Sequence, residues 1–293
     1  MELFLNQLVN GISAGSIYAA LALALVLIFR STGILNFAQG EMAMFSAFIS
    51  WQLAELGLPM WLAIVGSMAI SAVGGAIIER TIIRPVGTDN LLAVVIITIG
   101  LFIFLNALAG WIYGTDGRNF ESPFPDESWS IGGVNITADD IGNLVVLGAV
   151  VFLMYLIFQK TKFGLGLRAV ASNIESASLV GIRPGVMLMA GWGMAAALGA
   201  LAGSLTAADR TFIELNLMQG VLIFAFAAAT LGGFDSPLGA VVGGLIVGVV
   251  QALSLQYVGF FDGLEIAPAF VLILVVLLVK PTGLFGRKTV ERV

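Results

Sequence analysis

Nine runs of apolar, nearly uncharged residues fill most of this chain: Leu8–Phe29, Ile34–Ala54, Met60–Ile78, Leu91–Trp111, Ile141–Phe158, Val186–Ala207, Leu217–Leu231, Leu238–Tyr257 and Ile266–Val279. A helix crosses the hydrocarbon layer of a bilayer with about 20 such residues. Helices and closed barrels are the structures that satisfy every backbone group there. The runs therefore predict an all-α integral membrane protein, a bundle of about 8–9 transmembrane helices. Leu217–Leu231 and Ile266–Val279 are short. The pair flanking GGFDSPLG reads either as two crossings or as one broken, re-entrant hairpin. Residues 1–293 form a single transmembrane domain with no soluble module. Hydrophobic residues make up 59% of the chain and charged ones only 11%. A water-soluble fold of this length cannot cover so much apolar surface, which excludes a disordered protein, a nucleic-acid binder and an ordinary cytosolic enzyme.

The chain has no His and no Cys. Structural zinc, iron–sulfur clusters, haem with its usual ligands, disulfides, cysteine nucleophiles, His-based triads and the HExxH arrangement are thereby excluded. The opening MELFLNQLVNG carries no Lys or Arg, so the first run reads as a retained span rather than a cleaved signal. With the N-terminus outside, 11 of the 13 Lys and Arg fall on the inner side: Arg30, Arg80, Arg84, Lys160, Lys162, Arg168, Arg183, Lys280, Arg287, Lys288 and Arg292. Only Arg118 and Arg210 fall outside. The positive-inside rule thus predicts N-terminus outside and C-terminus cytoplasmic. The outer loop, residues 112–140, is acidic and rich in turn residues, and reads either as a solvated loop or as a docking site.

Small residues recur four apart at Gly11, Gly15 and Ala19; at Gly191, Ala195, Gly199 and Gly203; and at Gly239 and Gly243, with Gly244 and Gly248 on a neighbouring row. Such rows let helices approach closely in lipid. They predict tight packing within the bundle, with a dimer or sliding contact as the other reading. Glu41 is the only acidic residue inside the apolar run of its span, with Asn36 and Gln39 just before it. Two readings stay open. Asn36 caps a polar helix start at the interface with Glu41 in its first turn, or the three residues line or gate a pathway. So little buried charge argues against an ion-coupled carrier. Asp235 stands alone where a two-aspartate intramembrane protease needs a pair.

The inner loop, residues 159–185, reads QKTKFGLGLRAVASNIESASLVGIRPG. Ser172 and Glu175 have capping-box spacing. A short helix over Ile174–Val180 follows, with Val170, Ile174 and Ala177 as a weak apolar stripe. Gly181 suits the left-handed residue past its end, and Pro184 blocks continuation. Such a helix either lies on headgroups or docks a cytoplasmic partner. The chain has no phosphate-cradling GxxxxGK[ST] loop, so ATP-driven transport would need another chain to hydrolyse the nucleotide.

These residues carry a resemblance. SIYAALALALVLIFRSTGILNFAQGEMAM, FGLGLRAVASNIESASLVGI, TLGGFDSPLGAVVGG and the tail KPTGLFGRKTVERV resemble, in order, segments of the shorter, LivH-type permeases of branched-chain (hydrophobic) amino acid ABC importers. The resemblance implies the fold shared with sugar and vitamin B12 importers and a place in the bacterial inner membrane. It implies no enzyme activity and no cofactor in this chain, ATP and Mg being bound by partners. Those partners are a second permease subunit, two cytoplasmic ABC ATPases and a periplasmic or lipid-anchored substrate-binding protein. Arg168, Asn173, Glu175 and Gly181, with Ser172 and Ala177 in the same segment, are implied as ATPase-coupling residues; Asn36, Gln39 and Glu41 are the pathway candidates. Branched-chain amino acids are the implied cargo, with urea, short amides or another small amino-acid-like solute as alternatives.

Overall fold

A computed structural model describes residues 1–87 and 91–286. The inner-side charges Arg287, Lys288 and Arg292, and the end of the tail motif, lie outside the described residues. Each of the nine apolar runs contains a helix: α1 (Glu2–Thr32), α2 (Gln39–Glu55), α3 (Met60–Ile78), α5 (Leu91–Tyr113), α6 (Ala138–Lys160), α9 (Pro184–Arg210), α10 (Gln219–Gly232), α11 (Pro237–Tyr257) and α12 (Ala267–Val279). A π-helical turn, Glu79–Ile83, joins α3 to the short α4 (Arg84–Val86). Two short helices, α7 (Lys162–Ser172) and α8 (Ile174–Leu179), fill the loop before α9. Among the described residues, six helices are long and apolar enough to cross a membrane. The other three, α2, α10 and α12, have only 17, 14 and 13 residues.

The all-α expectation needs correcting at one end of the bundle. Residues 114–137 are not a plain loop. Strands β2 (Ser128–Ile131) and β3 (Val134–Thr137) form a hairpin, and β1 (Arg118–Asn119) pairs antiparallel with β4 (Phe212–Ile213). The hairpin sits over the start of α1, where Asn6 Oδ1 accepts from the Asn135 amide at 2.9 Å. Thr137 and Asp140 form a reciprocal capping box that starts α6.

Helix α1 is the hub. In its most apolar 18-residue window 83% of residues are buried, against 11% for α6. It packs on α11, α9, α10 and α6. The small-residue rows explain how. A Cβ on Gly11 would come within 2.7 Å of Val249 Cα, and one on Gly15 within 2.8 Å of the Gly244 carbonyl. From the other side, a Cβ on Gly244 would meet Ala19 Cα at 2.5 Å. Gly239 and Gly243 face α10, against the Gly232 and Ala228 carbonyls. Helix α11 is thus notched on two rows, one for α1 and one for α10, and the rows serve packing within the bundle.

Helices α2, α3 and α9 share a second seam, stitched by hydroxyls. Ser67 Oγ donates to the Ser46 carbonyl at 2.5 Å, Ser71 Oγ to Ser46 Oγ at 2.7 Å, and Ser50 and Ser204 hydroxyls lie 2.8 Å apart. Interhelical bonds of this kind contribute about 0.6–2 kcal/mol each in lipid. Residues 280–286 close the other end of α10: the amides of Leu284 and Phe285 donate to the carbonyls of Leu231 and Gly232. Carbonyls left open by the helix end are satisfied there.

Candidate functional site

The loop between α6 and α9 is built from helix termini. Thr161 makes the first corner. Its hydroxyl donates to the Ile157 carbonyl at 2.5 Å and accepts from the Gly164 amide at 3.0 Å. Gly164 must lack a side chain, because a Cβ would meet the Ile157 carbonyl and Phe158 backbone. Arg168 ties α7 back to α6, donating to Gln159 Oε1 at 3.1 Å and the Gly164 carbonyl at 3.4 Å. Val170 and Ala177 are buried, whereas Ile174 is 40% exposed, so the expected apolar stripe is only partly inward.

Helices α7 and α8 meet at one extended residue, Asn173, with φ −161°. Its amide donates to the Ala169 carbonyl at 3.0 Å, ending α7, and its Oδ1 accepts from the Ser176 amide at 2.7 Å, starting α8. The Ser172–Glu175 capping box does not form. Ser172 is still helical in α7, so the capping frame moves on by one residue, and Glu175 becomes an exposed first-turn carboxylate. Asn at the joint is among the best N-caps. Gly181 fulfils the expectation for it: φ is +84°, and the Gly181 and Ile182 amides donate to the Ser178 and Ala177 carbonyls. Pro184 both ends this segment and opens α9 from its first turn. At the tip, Leu179 and Val180 are 89% and 75% exposed. An apolar pair held out on a segment capped at both ends suits insertion into another protein. The pair is visible in NIESASLVG, but two apolar residues carry little signal in a chain that is 59% hydrophobic. Asn173→Ala is expected to weaken α8 by about 1 kcal/mol, read as about fivefold faster amide hydrogen exchange over residues 174–180, with Asn173→Asp retaining protection.

The joint before α9 is braced from α3. Glu79 in the π turn is buried; Arg84 Nε donates to its Oε1 at 3.1 Å, and the Arg84 Nη2–Glu79 Oε2 ion pair closes at 2.5 Å. The same Nη2 donates to the Gly185 carbonyl at 2.6 Å. A Cβ on Gly185 would fall 2.8 Å from the guanidinium. This is the only salt bridge among the described residues; it fixes Arg84 to the π turn, and the bond to Gly185 ties that turn to the start of α9, just after α8.

The second cluster lies inside the bundle. Asn36, Gln39 and Glu41 are each at most 1% exposed, which corrects the picture of a polar helix start at an interface. Helix α2 begins at Gln39 rather than Ile34, because residues 33–38 leave the end of α1 without helix. Asn36 shapes that turn: its Oδ1 accepts from the Ala38 amide at 3.0 Å and its Nδ2 donates to Gln39 Oε1 at 3.2 Å. Gln39 Nε2 reaches the Ala195 carbonyl of α9 at 3.0 Å, seated against Gly199. Glu41 Oε2 accepts from Asn106 Nδ2 at 3.1 Å, and the same amide reaches the Leu215 carbonyl at 3.2 Å. Asn106 was missed, although it is the one Asn in the apolar run LFIFLNALAG. Helix α10 also starts late, after residues 214–218, whose Leu217 and Met218 are buried. Gly40 lies against Leu222 and the Met218 carbonyl. Two short helices therefore begin beside each other within the protein, where irregular backbone is tolerated.

A family model described as "Branched-chain amino acid transport system / permease component" matches residues 7–279. The chain belongs to that family. It is 33% identical to the high-affinity branched-chain amino acid transport system permease protein LivH of Escherichia coli K12, over 99% of this chain and 98% of that protein. The BraD permease of Pseudomonas aeruginosa matches at the same identity and coverage. A probable LivH of Methanocaldococcus jannaschii is 27% identical over 91% of this chain and 87% of that one. Among solved structures, a chain of "PsaBC from Streptococcus pneumoniae in complex with Fab" aligns with 96% of this chain and 93% of that one, at 16% identity and a TM-score of 0.49, a likeness too slight to argue from. This chain is thus a permease component of an ABC transporter and a multi-pass inner-membrane protein.

Proposed function

We propose that this permease carries branched-chain, hydrophobic amino acids into the cell as one membrane subunit of an ATP-driven importer. The observation that carries the reading is the end-to-end likeness to LivH and BraD, whose names state that cargo. Permeases named for autoinducer 2 and fructose import are more distant, at 25% and 23% identity. In this reading a second permease pairs with the chain, and a binding protein delivers substrate from outside. Two cytoplasmic ATPases hydrolyse ATP.

The N-terminus lies outside and the loop of residues 159–185 inside. Of the ten described Lys and Arg, Arg30, Arg80, Arg84, Lys160, Lys162, Arg168, Arg183 and Lys280 lie at or near the helix ends that meet this loop; Arg118 and Arg210 lie at the other end. That asymmetry supports the orientation. Helix α8 is the coupling element. Leu179 and Val180 supply its apolar contact, Glu175 an exposed charge, Asn173 and Gly181 its rigid ends, Ala177 its seat, and Arg168 with Ser172 its base. Asn36, Gln39 and Glu41 line or gate the route, with Asn106 beside them.

Uptake of labelled leucine by proteoliposomes holding the complete transporter tests this. Uptake is expected to need the binding protein outside and ATP inside. Glu175→Arg with Gly181→Pro should lower it at least about tenfold and release the ATPases, while the permease still inserts. Glu41→Gln should slow uptake without releasing them. Leucine entry on an ion gradient without ATPases would replace this reading with a carrier.

A further inference from the structure

Helices α6 and α11 both lie against α1, yet they make few contacts with each other. The seam between them is an apolar groove of about 480 Å³, floored by Leu147 and Val151 and edged by Phe152, Tyr155, Leu238 and Val241. At the end carrying α7 and α8 it runs, through Val151, Tyr155, Leu238 and Val241, into a chamber of about 1260 Å³. The chamber wall changes character along its length. Leu23, Leu27, Met154 and Phe158 continue the apolar surface, and Arg30, Arg168, Glu175 and Asp235 gather at the mouth.

We propose that this chamber and groove hold one phospholipid of the inner leaflet, phosphatidylethanolamine. The leaflet follows from the orientation given above; the lipid does not depend on the cargo. The groove suits a chain rather than a helix. A helix about 10 Å across fills about 80 Å³ per ångström of its length, so 480 Å³ would take little more than one turn. A flexible acyl chain follows such a seam. The mouth suits a zwitterion. Among the described residues Arg168 is bonded only to neutral acceptors, Gln159 Oε1 and the Gly164 carbonyl. A guanidinium in that state is a good phosphate ligand. Asp235 and Glu175 form no ion pair among the described residues. A primary ammonium can donate to such carboxylates, whereas the quaternary nitrogen of choline cannot. Because Asn173, Ile174 and Glu175 form part of the wall, the lipid would touch the segment that couples to the ATPases.

The test is lipid retention by the intact transporter, purified from bacterial membranes, stripped with detergent and examined by native mass spectrometry. Retained lipid is then exchanged in nanodiscs of phosphatidylethanolamine, phosphatidylcholine or phosphatidylglycerol. Gly148 lines the groove, and a Cβ there meets nothing within 4 Å. Gly148→Trp should fill the seam and lower phosphatidylethanolamine occupancy about tenfold, with thermal stability close to wild type. Leu238→Trp, at an exposed position on the opposite wall, serves if the first variant folds poorly. Asp235→Asn should abolish the preference for ethanolamine over choline. Equal retention of all three lipids, unchanged retention in both Trp variants, or displacement of the lipid by millimolar leucine would overturn the proposal. The last result would make the chamber an amino-acid site. Transport is not the readout, so failure here is distinguishable from failure of the cargo assignment.

Discussion

Gly248→Leu is expected to lower the melting temperature of the detergent-solubilised permease by about 10 °C, and to cut the yield of monodisperse protein accordingly. At this position a Cβ would run into the Gly11 carbonyl and come within 2.5 Å of Gly15 Cα. The obstruction is backbone, not the end of a flexible side chain. Overpacking costs about 1–3 kcal/mol where neighbours can shift. Helix α1 cannot readily retreat, because α9 and α10 hold it on other sides. Gly74→Leu is the matched control. A Cβ at Gly74 meets nothing within 4 Å, so it should melt within about 2 °C of wild type. If Gly248→Leu melted with the wild type, the close α1–α11 contact would be wrong.

Arg84→Ala is expected to be nearly as damaging. It leaves the Glu79 carboxylate, 2% exposed, with neither counter-charge nor donor from that side chain. Removing one partner of a buried ion pair costs about 3–5 kcal/mol. The Arg84 side chain is 38% exposed, which places the expected loss near the lower figure. Glu79→Gln should cost less, since the arginine left behind still reaches water and the Gly185 carbonyl. The double variant Glu79→Gln with Arg84→Ala should recover about half of the loss, because no buried charge is then stranded. Thermal unfolding of the four proteins gives the cycle, and an Arg84→Ala variant as stable as Glu79→Gln would contradict it. In transport, Arg84→Ala should also loosen ATP hydrolysis from uptake, since the brace ends on the turn that follows α8.

The positions of the helices were legible because the bilayer imposes a length and a composition on a span; six of the described helices meet both, and α2, α10 and α12 share the composition but not the length. The small-residue rows were legible for a related reason: in lipid, close approach is the main route to helix association, so glycine spacing reports contact directly. Depth was not. Ile34–Ala38 are as apolar as the residues after them, and only Asn36, folding back on the Ala38 amide, shows that the helix has not yet begun. The strands escaped because SWSIGGVNIT holds two four-residue segments, too short for alternation to stand out beside long apolar runs. The joint between α7 and α8 shows a finer limit. Ser172 and Asn173 are both good caps, and choosing between them requires knowing where the preceding helix stops, which Ala169 and its carbonyl decide.

The central place of α1 has a consequence for biogenesis. It is made well before its closest partner, α11, which lies more than two hundred residues downstream, as Gly15 against Gly244 illustrates. At about 5–20 residues per second, the ribosome takes roughly ten to forty-five seconds to supply that partner. Through that interval α1 stands in lipid with its notched face unmatched, and helices made in the meantime must leave the slot open. A factor that shelters a nascent span would therefore act chiefly on α1, whose notched face stays open until α11 arrives.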